Sequence, residues 1–209
     1  MQKSSKHIAV VGNIGAGKTT LANKLGHYYK WDVFLEAVDD NPYLKDFYED
    51  MPRWAFHLQV YFLNSRFNQV QQIKAASRSV VQDRTIYEDA FIFAKNLHQS
   101  GMMSTRDYDN YFQLFQSMIK MVSPPDLMIY LKADLPKLIH QIQLRNRDYE
   151  NNIRLDYLRN LNDHYENWIS SYKDGKLLII DVNKLDFVNN PEDLGTIIDR
   201  IQIELFGLF

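Results

Sequence analysis

The sequence predicts a doubly wound α/β domain, a five-stranded parallel sheet with helices on both faces. Five short runs rich in Val, Ile and Leu are bounded by polar or turn residues. They are continuously apolar rather than alternating, as strands buried on both faces must be. Stretches with helical spacing separate them, and parallel strands need crossovers of that kind. The 209 residues suit one such domain. No linker, repeat or low-complexity segment divides the chain, so residues 1–209 read as one unit.

The first strand is expected at Ile8–Val11, followed by a glycine-rich turn that opens a helix. Asp32–Leu35 is the second strand. A long helix is expected over Pro52–Ala76, because Asp50 can cap it and Pro52 suits its first turn. Ser79–Gln82 is the third strand. Two helical segments follow, one after Tyr87 and one from about Thr105, and Pro124-Pro125 stops the latter before the fourth strand, Leu127–Leu131. Leu135–Arg147 and Ile153–Tyr172 read as helices separated by a polar break at Asp148–Asn152. The fifth strand is Leu177–Asp181, and Pro191 starts a last helix that reaches Phe206.

The formal net charge is −2, with 24 basic residues scattered among 26 acidic ones. That leaves no basic face of the kind a nucleic-acid partner requires. With no cysteine, neither a disulfide nor a Cys-ligated zinc is available. Met1–Lys6 lacks the apolar run of a signal peptide, and no apolar stretch is long enough to span a bilayer. The expectation is a soluble cytoplasmic protein.

Gly12-Asn13-Ile14-Gly15-Ala16-Gly17-Lys18-Thr19 fits G-x-x-x-x-G-K-[ST] in full, between the first strand and a helix. Glycines let backbone N–H groups converge on phosphate oxygens with no Cβ in the way. The helix N-terminus adds its positive end. Lys18 is placed to reach the β- and γ-phosphates of ATP, and Thr19 to ligate Mg²⁺. Thr20 completes the stretch. The motif specifies a nucleoside triphosphate and says nothing of the acceptor.

A second acid is needed near such a metal. Asp83 sits at the end of the third strand, followed by Arg84 and Thr85, where an open α/β sheet places its ligand crevice. The acid can hold Mg²⁺ or accept a proton, and the arginine can neutralise charge on a transferring phosphoryl group. A helix-capping Asp-Arg pair explains the same letters. Glu36 ends the second strand in the same way and can take a proton from an attacking hydroxyl.

Gly12–Thr20, Glu36, Trp54 with Gln59, Asp83-Arg84-Thr85 and Arg145–Glu150 occur in the order found in the deoxyribonucleoside kinases. The chain resembles that family from about His7 to Val182. Asp83–Asp89 and Ile92–Leu97 are the most specific parts, and Val38–Leu44 is most similar to the bacterial deoxyadenosine and deoxyguanosine kinases. The resemblance implies a P-loop kinase fold with a helical lid. It implies transfer of the γ-phosphate of ATP to the 5′-hydroxyl of a deoxynucleoside, deoxyadenosine or deoxyguanosine first and deoxycytidine second, in salvage, by a homodimer.

It also implies roles. Glu36 contacts the 5′-hydroxyl, and Glu36 and Asp83 are both candidates for the base. Arg84 holds the phosphoryl group. Tyr48 and Glu150 bind the sugar 3′-hydroxyl. Gln59 reads the base edge through its paired donor and acceptor. Arg66, two helical turns on, shares a face with Gln59, and Asp89 is placed to pair with Arg66. Such an arginine and aspartate accompany cytosine or purine bases in the family.

The lid is expected at about 145–152, where Arg145 and Arg147 can grip phosphates in fork geometry and close over the triphosphate. Three residues depart from the family pattern: Asn146 where glycine is common, Gln141 where another arginine is common, and the acid of Asp83-Arg84-Thr85, one methylene shorter than glutamate. Asn183–Phe187 loosely matches an adenine-binding loop. Phe91, Phe93, Tyr165 and Trp168 are candidates for a dimer interface, although core packing accounts for them equally.

A nucleoside monophosphate kinase such as thymidylate kinase shares the fold, but a carboxylate at Glu36 would repel an acceptor phosphate. A GTPase-like switch would use Asn183-Lys184-Leu185-Asp186 to specify guanine, but no Asp-x-x-Gly follows a strand to accompany it.

Overall fold

A computed structural model describes residues 5–36, 38, 41–147, 150 and 153–207. Asp39 and Asp40 of the bacterial-like stretch, and residues 148–149 and 151–152 of the expected lid, lie outside the described residues.

The sheet has five strands in the order β2-β3-β1-β4-β5, formed by β1 (His7–Gly12), β2 (Asp32–Phe34), β3 (Val80–Asp83), β4 (Leu127–Lys132) and β5 (Leu177–Asp181). Every pairing is parallel. The chain leaves β1 towards β2 and leaves β4 towards β5. The connections therefore diverge from the middle of the sheet, which opens a crevice beyond the strand C-termini.

Both faces of the sheet are covered, as the unbroken apolar runs require. On one face Ile8, Val10, Ile129 and Leu131 pack against α1 (Lys18–Tyr29), α7 (Leu135–Arg145) and α9 (Pro191–Phe206). On the other, Val11, Met128 and Tyr130 pack against α2 (Leu44–Glu49), α3 (Met51–Ala75) and α8 (Leu155–Ser171). Successive strand residues thus serve opposite layers. A third cluster joins α3 to α6 (Thr105–Ile119) through Leu63, Tyr111 and Phe115.

The expected elements all form, with shifted ends. Asp50 caps α3 by accepting from Arg53 N–H at 3.2 Å. β3 gains Asp83, which pairs with Val10, and β2 stops at Phe34. Two features carry no sequence expectation. One is α2, a single short helix. The other lies after β3, where α4 (Ile86–Glu88) runs into a π-helical segment, Asp89–Ala94, before α5 (Lys95–Gln99). Such widened turns recur at functional sites, and this one carries Asp89 and Phe93.

Candidate active site

Strand register assembles the site. Val10 pairs with Asp83 and Phe34 with Gln82. The glycine-rich loop leaving β1, the acid ending β3 and Glu36 beyond β2 therefore converge on one crevice. It is a cavity of about 210 Å³. Its lining brings Lys18, Thr19, Glu36, Asp83 and Arg84 together with Tyr48, Gln59, Asp89, Arg145, Arg147 and Glu150 and with apolar neighbours such as Phe62 and Phe93.

The loop needs its glycines. Gly15 and Gly17 have φ of 85° and 94°, and a Cβ on Gly15 would stand 2.7 Å from Leu138 O. Asn13 ties the loop to α8, donating through Nδ2 to Asn162 Oδ1 at 2.7 Å and to Leu158 O at 3.1 Å. Lys18 is buried and donates to Asn13 O at 3.0 Å. Burial and the nearby Arg84 charge lower its pKa to about 8, against the pull of Asp83, Glu36 and Glu88.

Thr19 Oγ1 donates to Asp83 Oδ2 at 2.5 Å. Asp83 Oδ1 is buried without a hydrogen-bond partner among the described residues. A hydroxyl and a carboxylate at a triphosphate cradle, one oxygen of them unclaimed, are the hard donors that Mg²⁺ takes. The residues fit the ion.

Arg84 is the centre of the charge arrangement. Its φ is 71°, a left-handed backbone costing about 1–2 kcal/mol for a residue with a Cβ. Its N–H donates to Val10 O at 3.0 Å, which holds that conformation. Its Nε stands 2.8 Å from Glu36 Oε1, and its guanidinium lies 4.5 Å from the centre of the Phe93 ring. Arg66 Nη2 donates to Glu36 Oε1 at 3.2 Å. Burial pushes the Glu36 carboxyl up, but Arg84, Arg66, Lys18 and Arg145 outweigh it and hold Glu36 below the ordinary carboxylate value.

Gln59 and Asp89 are buried, and Gln59 Oε1 and Asp89 Oδ2 each lack a hydrogen-bond partner among the described residues. Burial raises Asp89 to about 6, even though Arg66 Nε is only 3.5 Å away. Arg66 itself is not part of the cavity lining. It stands behind it, donating to Asp83 O at 2.9 Å and to Glu36.

Where the lid is expected, α7 ends at Arg145, and Asn146 adopts φ 49°. Asparagine tolerates that left-handed turn, which accounts for its standing where relatives often carry glycine. Arg145 grips Glu150 with two donors, Nε to Oε2 at 3.0 Å and Nη2 to Oε1 at 2.5 Å. Arg147 lies 3.6 Å from the same carboxylate.

Two contributors escape sequence reasoning. Glu88 is fully buried and accepts from Tyr165 Oη at 2.7 Å, Thr85 N–H at 2.7 Å and Gly12 N–H at 3.3 Å. Tyr165 Oη accepts from Arg84 Nη1 at 2.8 Å. Tyr165 is therefore interior, and Phe93 faces the cavity; neither is free to form a dimer interface, because both are spent on Arg84. Phe187 is likewise core, its ring tip 2.8 Å from where a Gly17 Cβ would be. Asp186 accepts from Asn189, whose Nδ2 reaches both carboxylate oxygens at 3.1 and 3.3 Å, so the Asn183–Asp186 letters belong to the loop between β5 and α9.

Comparison with known proteins agrees with this geometry. A family model described as deoxynucleoside kinase matches residues 8–205. The chain is 47% identical over 195 residues to a deoxyadenosine kinase of Dictyostelium discoideum, covering 92% of this chain and 77% of that one. It is 40% identical over 198 residues to a deoxyadenosine/deoxycytidine kinase of Bacillus subtilis, covering 93% and 90%. The solved structure of deoxyadenosine kinase from M. mycoides with bound dATP superposes with a TM-score of 0.84 at 28% identity, covering 94% of this chain and 99% of that one.

Proposed function

This chain belongs to the deoxynucleoside kinase family, and on that premise we propose that it phosphorylates deoxyadenosine, accepts deoxycytidine and disfavours deoxyguanosine. As a deoxynucleoside kinase it is a phosphotransferase with a nucleotide donor and a small nucleoside acceptor. The monophosphate-kinase and GTPase readings fall with that assignment. Among the described residues, no helix is long and apolar enough to cross a membrane.

One observation carries the base preference. Gln59 Oε1 and Asp89 Oδ2 are buried acceptor oxygens of the same cavity that receive no hydrogen bond among the described residues, Asp89 Oδ2 having only the Arg66 charge 3.5 Å away. Buried acceptors reward a ligand that donates to them and penalise one that does not. An exocyclic amino group supplies that donor in adenine and in cytosine. Guanine carries an oxygen at the corresponding position, an acceptor that the Asp89 carboxylate repels and that only the Gln59 amide N–H can serve.

The transfer follows from the charged residues of the same cavity. Glu36, kept ionised by Arg84 and Arg66, accepts the 5′-hydroxyl proton as the oxygen attacks the γ-phosphorus. The bond from that phosphorus to the β–γ bridging oxygen breaks, and the nucleoside diphosphate leaves with the electron pair. Lys18 and Arg84 offset charge on the transferring group, where the reaction needs it most. Thr19 and Asp83 hold Mg²⁺, which supplies charge neutralisation on the phosphate oxygens. Tyr48 and Glu150 take the 3′-hydroxyl.

The assembly we propose is a homodimer in the cytoplasm. A face of α6 supports the first, since Leu114 is exposed and Met118, one turn on, is only partly buried. Absence of cysteine fits the second. Steady-state rates with ATP, Mg²⁺ and each of the four deoxynucleosides test the central reading. The expected order of kcat/KM is deoxyadenosine, deoxycytidine, then deoxyguanosine and thymidine; thymidine or deoxyguanosine leading would overturn it.

A further inference from the structure

Arg84 needs more than its own backbone to aim it. An arginine side chain has several rotatable bonds, and a misplacement of about 1 Å at the reacting group costs a kinase up to 10²-fold. Glu36 restrains Nε at 2.8 Å. That restraint alone is poor, because the Glu36 side chain is 21% exposed and is engaged with the acceptor during turnover.

A second restraint comes from behind. Tyr165 Oη accepts from Arg84 Nη1 at 2.8 Å and donates to Glu88 Oε1 at 2.7 Å. Glu88 Oε1 lies 3.4 Å from the same Nη1. The carboxylate also receives Thr85 N–H at 2.7 Å and Gly12 N–H at 3.3 Å. Gly12 starts the phosphate cradle. One buried carboxylate therefore touches both the cradle and the guanidinium, and fixes their separation. Tyr165 is wedged by its stack on Tyr130, 5.8 Å between ring centres at 15°. Nε and Nη1 are thus held by Glu36, Tyr165 and Glu88, which leaves Nη2 as the donor for the phosphoryl oxygen.

We propose that Tyr165 and Glu88 are positioning residues for phosphoryl transfer, holding the Arg84 guanidinium at a fixed distance from the triphosphate cradle. The inference rests on the reading that Arg84 acts on the transferring group. Neither residue touches substrate. Tyr165 arrives from α8, the helix after the lid, and Glu88 from the helix after β3, so the link also ties the lid-bearing half of the chain to the cradle.

Tyr165→Phe removes one hydroxyl and keeps the stack. It should lower kcat about tenfold or more, leave KM for ATP and deoxynucleoside within about twofold, and leave the melting temperature near wild type. In an Arg84→Ala background the same change should slow single-turnover transfer no further, because two groups acting as one unit are not additive. Glu88→Gln, near-isosteric, should show the same pattern and serves if Tyr165→Phe folds poorly. Wild-type kcat in both variants, or a full repeat of the loss in the Arg84→Ala background, would overturn the proposal. Wild-type turnover in Arg84→Ala itself would instead remove the reading of Arg84 on which it rests.

Discussion

Arg84 Nε stands 2.8 Å from Glu36 Oε1, so the residue after β3 and the second residue after β2 meet across the end of the sheet. The carboxylate and the guanidinium hold each other where acceptor oxygen and γ-phosphorus are to meet. Each is also the other's charge partner, so removing one mispositions both. Glu36→Gln and Arg84→Ala should each lower kcat by about 10²-fold or more, the scale of a general base or of a group stabilising transition-state charge. Steady-state assays with saturating deoxyadenosine decide this, and near-wild-type turnover in both variants would end the mechanism.

The alkaline limb of activity should belong to Lys18. Its ammonium titrates near pH 8 in the free protein because burial and Arg84 disfavour its charge. It is charged below that pH and neutral above it, so kcat/KM for ATP, which reports the free enzyme, should fall as pH rises past about 8. Bound phosphates favour the charged form, so the limb of kcat should lie further to the alkaline side. A kcat/KM profile for ATP that stays flat to pH 9.5 would contradict the assignment.

Base preference should change with pH on the acid side. Asp89 is raised to about 6. Above that pH its carboxylate only accepts, which suits an amino group. Below it the carboxyl carries a proton and can donate to a carbonyl oxygen. The ratio of kcat/KM for deoxyguanosine over deoxyadenosine should therefore rise several-fold between pH 7.5 and pH 5.5. A constant ratio would take Asp89 out of base reading.

What the sequence reveals and conceals here has physical causes. Strands buried on both faces leave unbroken apolar runs, so all five are legible within a residue or so of their ends. The phosphate cradle is legible because backbone geometry demands glycine at set spacings. Glu88 and Tyr165 are not. They lie 77 residues apart, and each looks locally like ordinary helix residues, one a capping acid and the other a core aromatic. Only packing reveals that both serve Arg84. Arg66 shows the converse: its helical spacing from Gln59 is correct and it pairs with Asp89, yet its guanidinium also binds Glu36 and the Asp83 carbonyl and does not itself line the cavity. The π-helical turn at Asp89–Ala94 leaves no sequence trace, since α- and π-turns accept the same residues.

Gln59→Ala isolates the buried amide oxygen that receives no hydrogen bond among the described residues. Losing a buried hydrogen-bonding group towards a polar ligand costs about 1–3 kcal/mol. KM for deoxyadenosine should rise about tenfold or more while KM for ATP stays put, and the preference among bases should narrow. Measuring all four deoxynucleosides with the variant checks both. An unchanged ranking with unchanged KM would place Gln59 outside base recognition.

Glu150 faces two claims at once. Its carboxylate is gripped by Arg145 through two hydrogen bonds, yet it lines the same cavity as Tyr48, where the sugar 3′-hydroxyl is expected. A carboxylate has lone pairs for both partners, but a hydroxyl arriving at one oxygen weakens the arginine's hold there and releases guanidinium donors towards phosphate. The two variants should then differ. Glu150→Gln should raise KM mainly for the deoxynucleoside, because an uncharged oxygen binds the hydroxyl less strongly. Arg145→Ala should raise KM mainly for ATP and lower kcat, because the triphosphate loses a fork donor. Full kinetics of both variants against both substrates check the split, and equal effects on the two KM values in each variant would show that the pair acts only as a structural clasp.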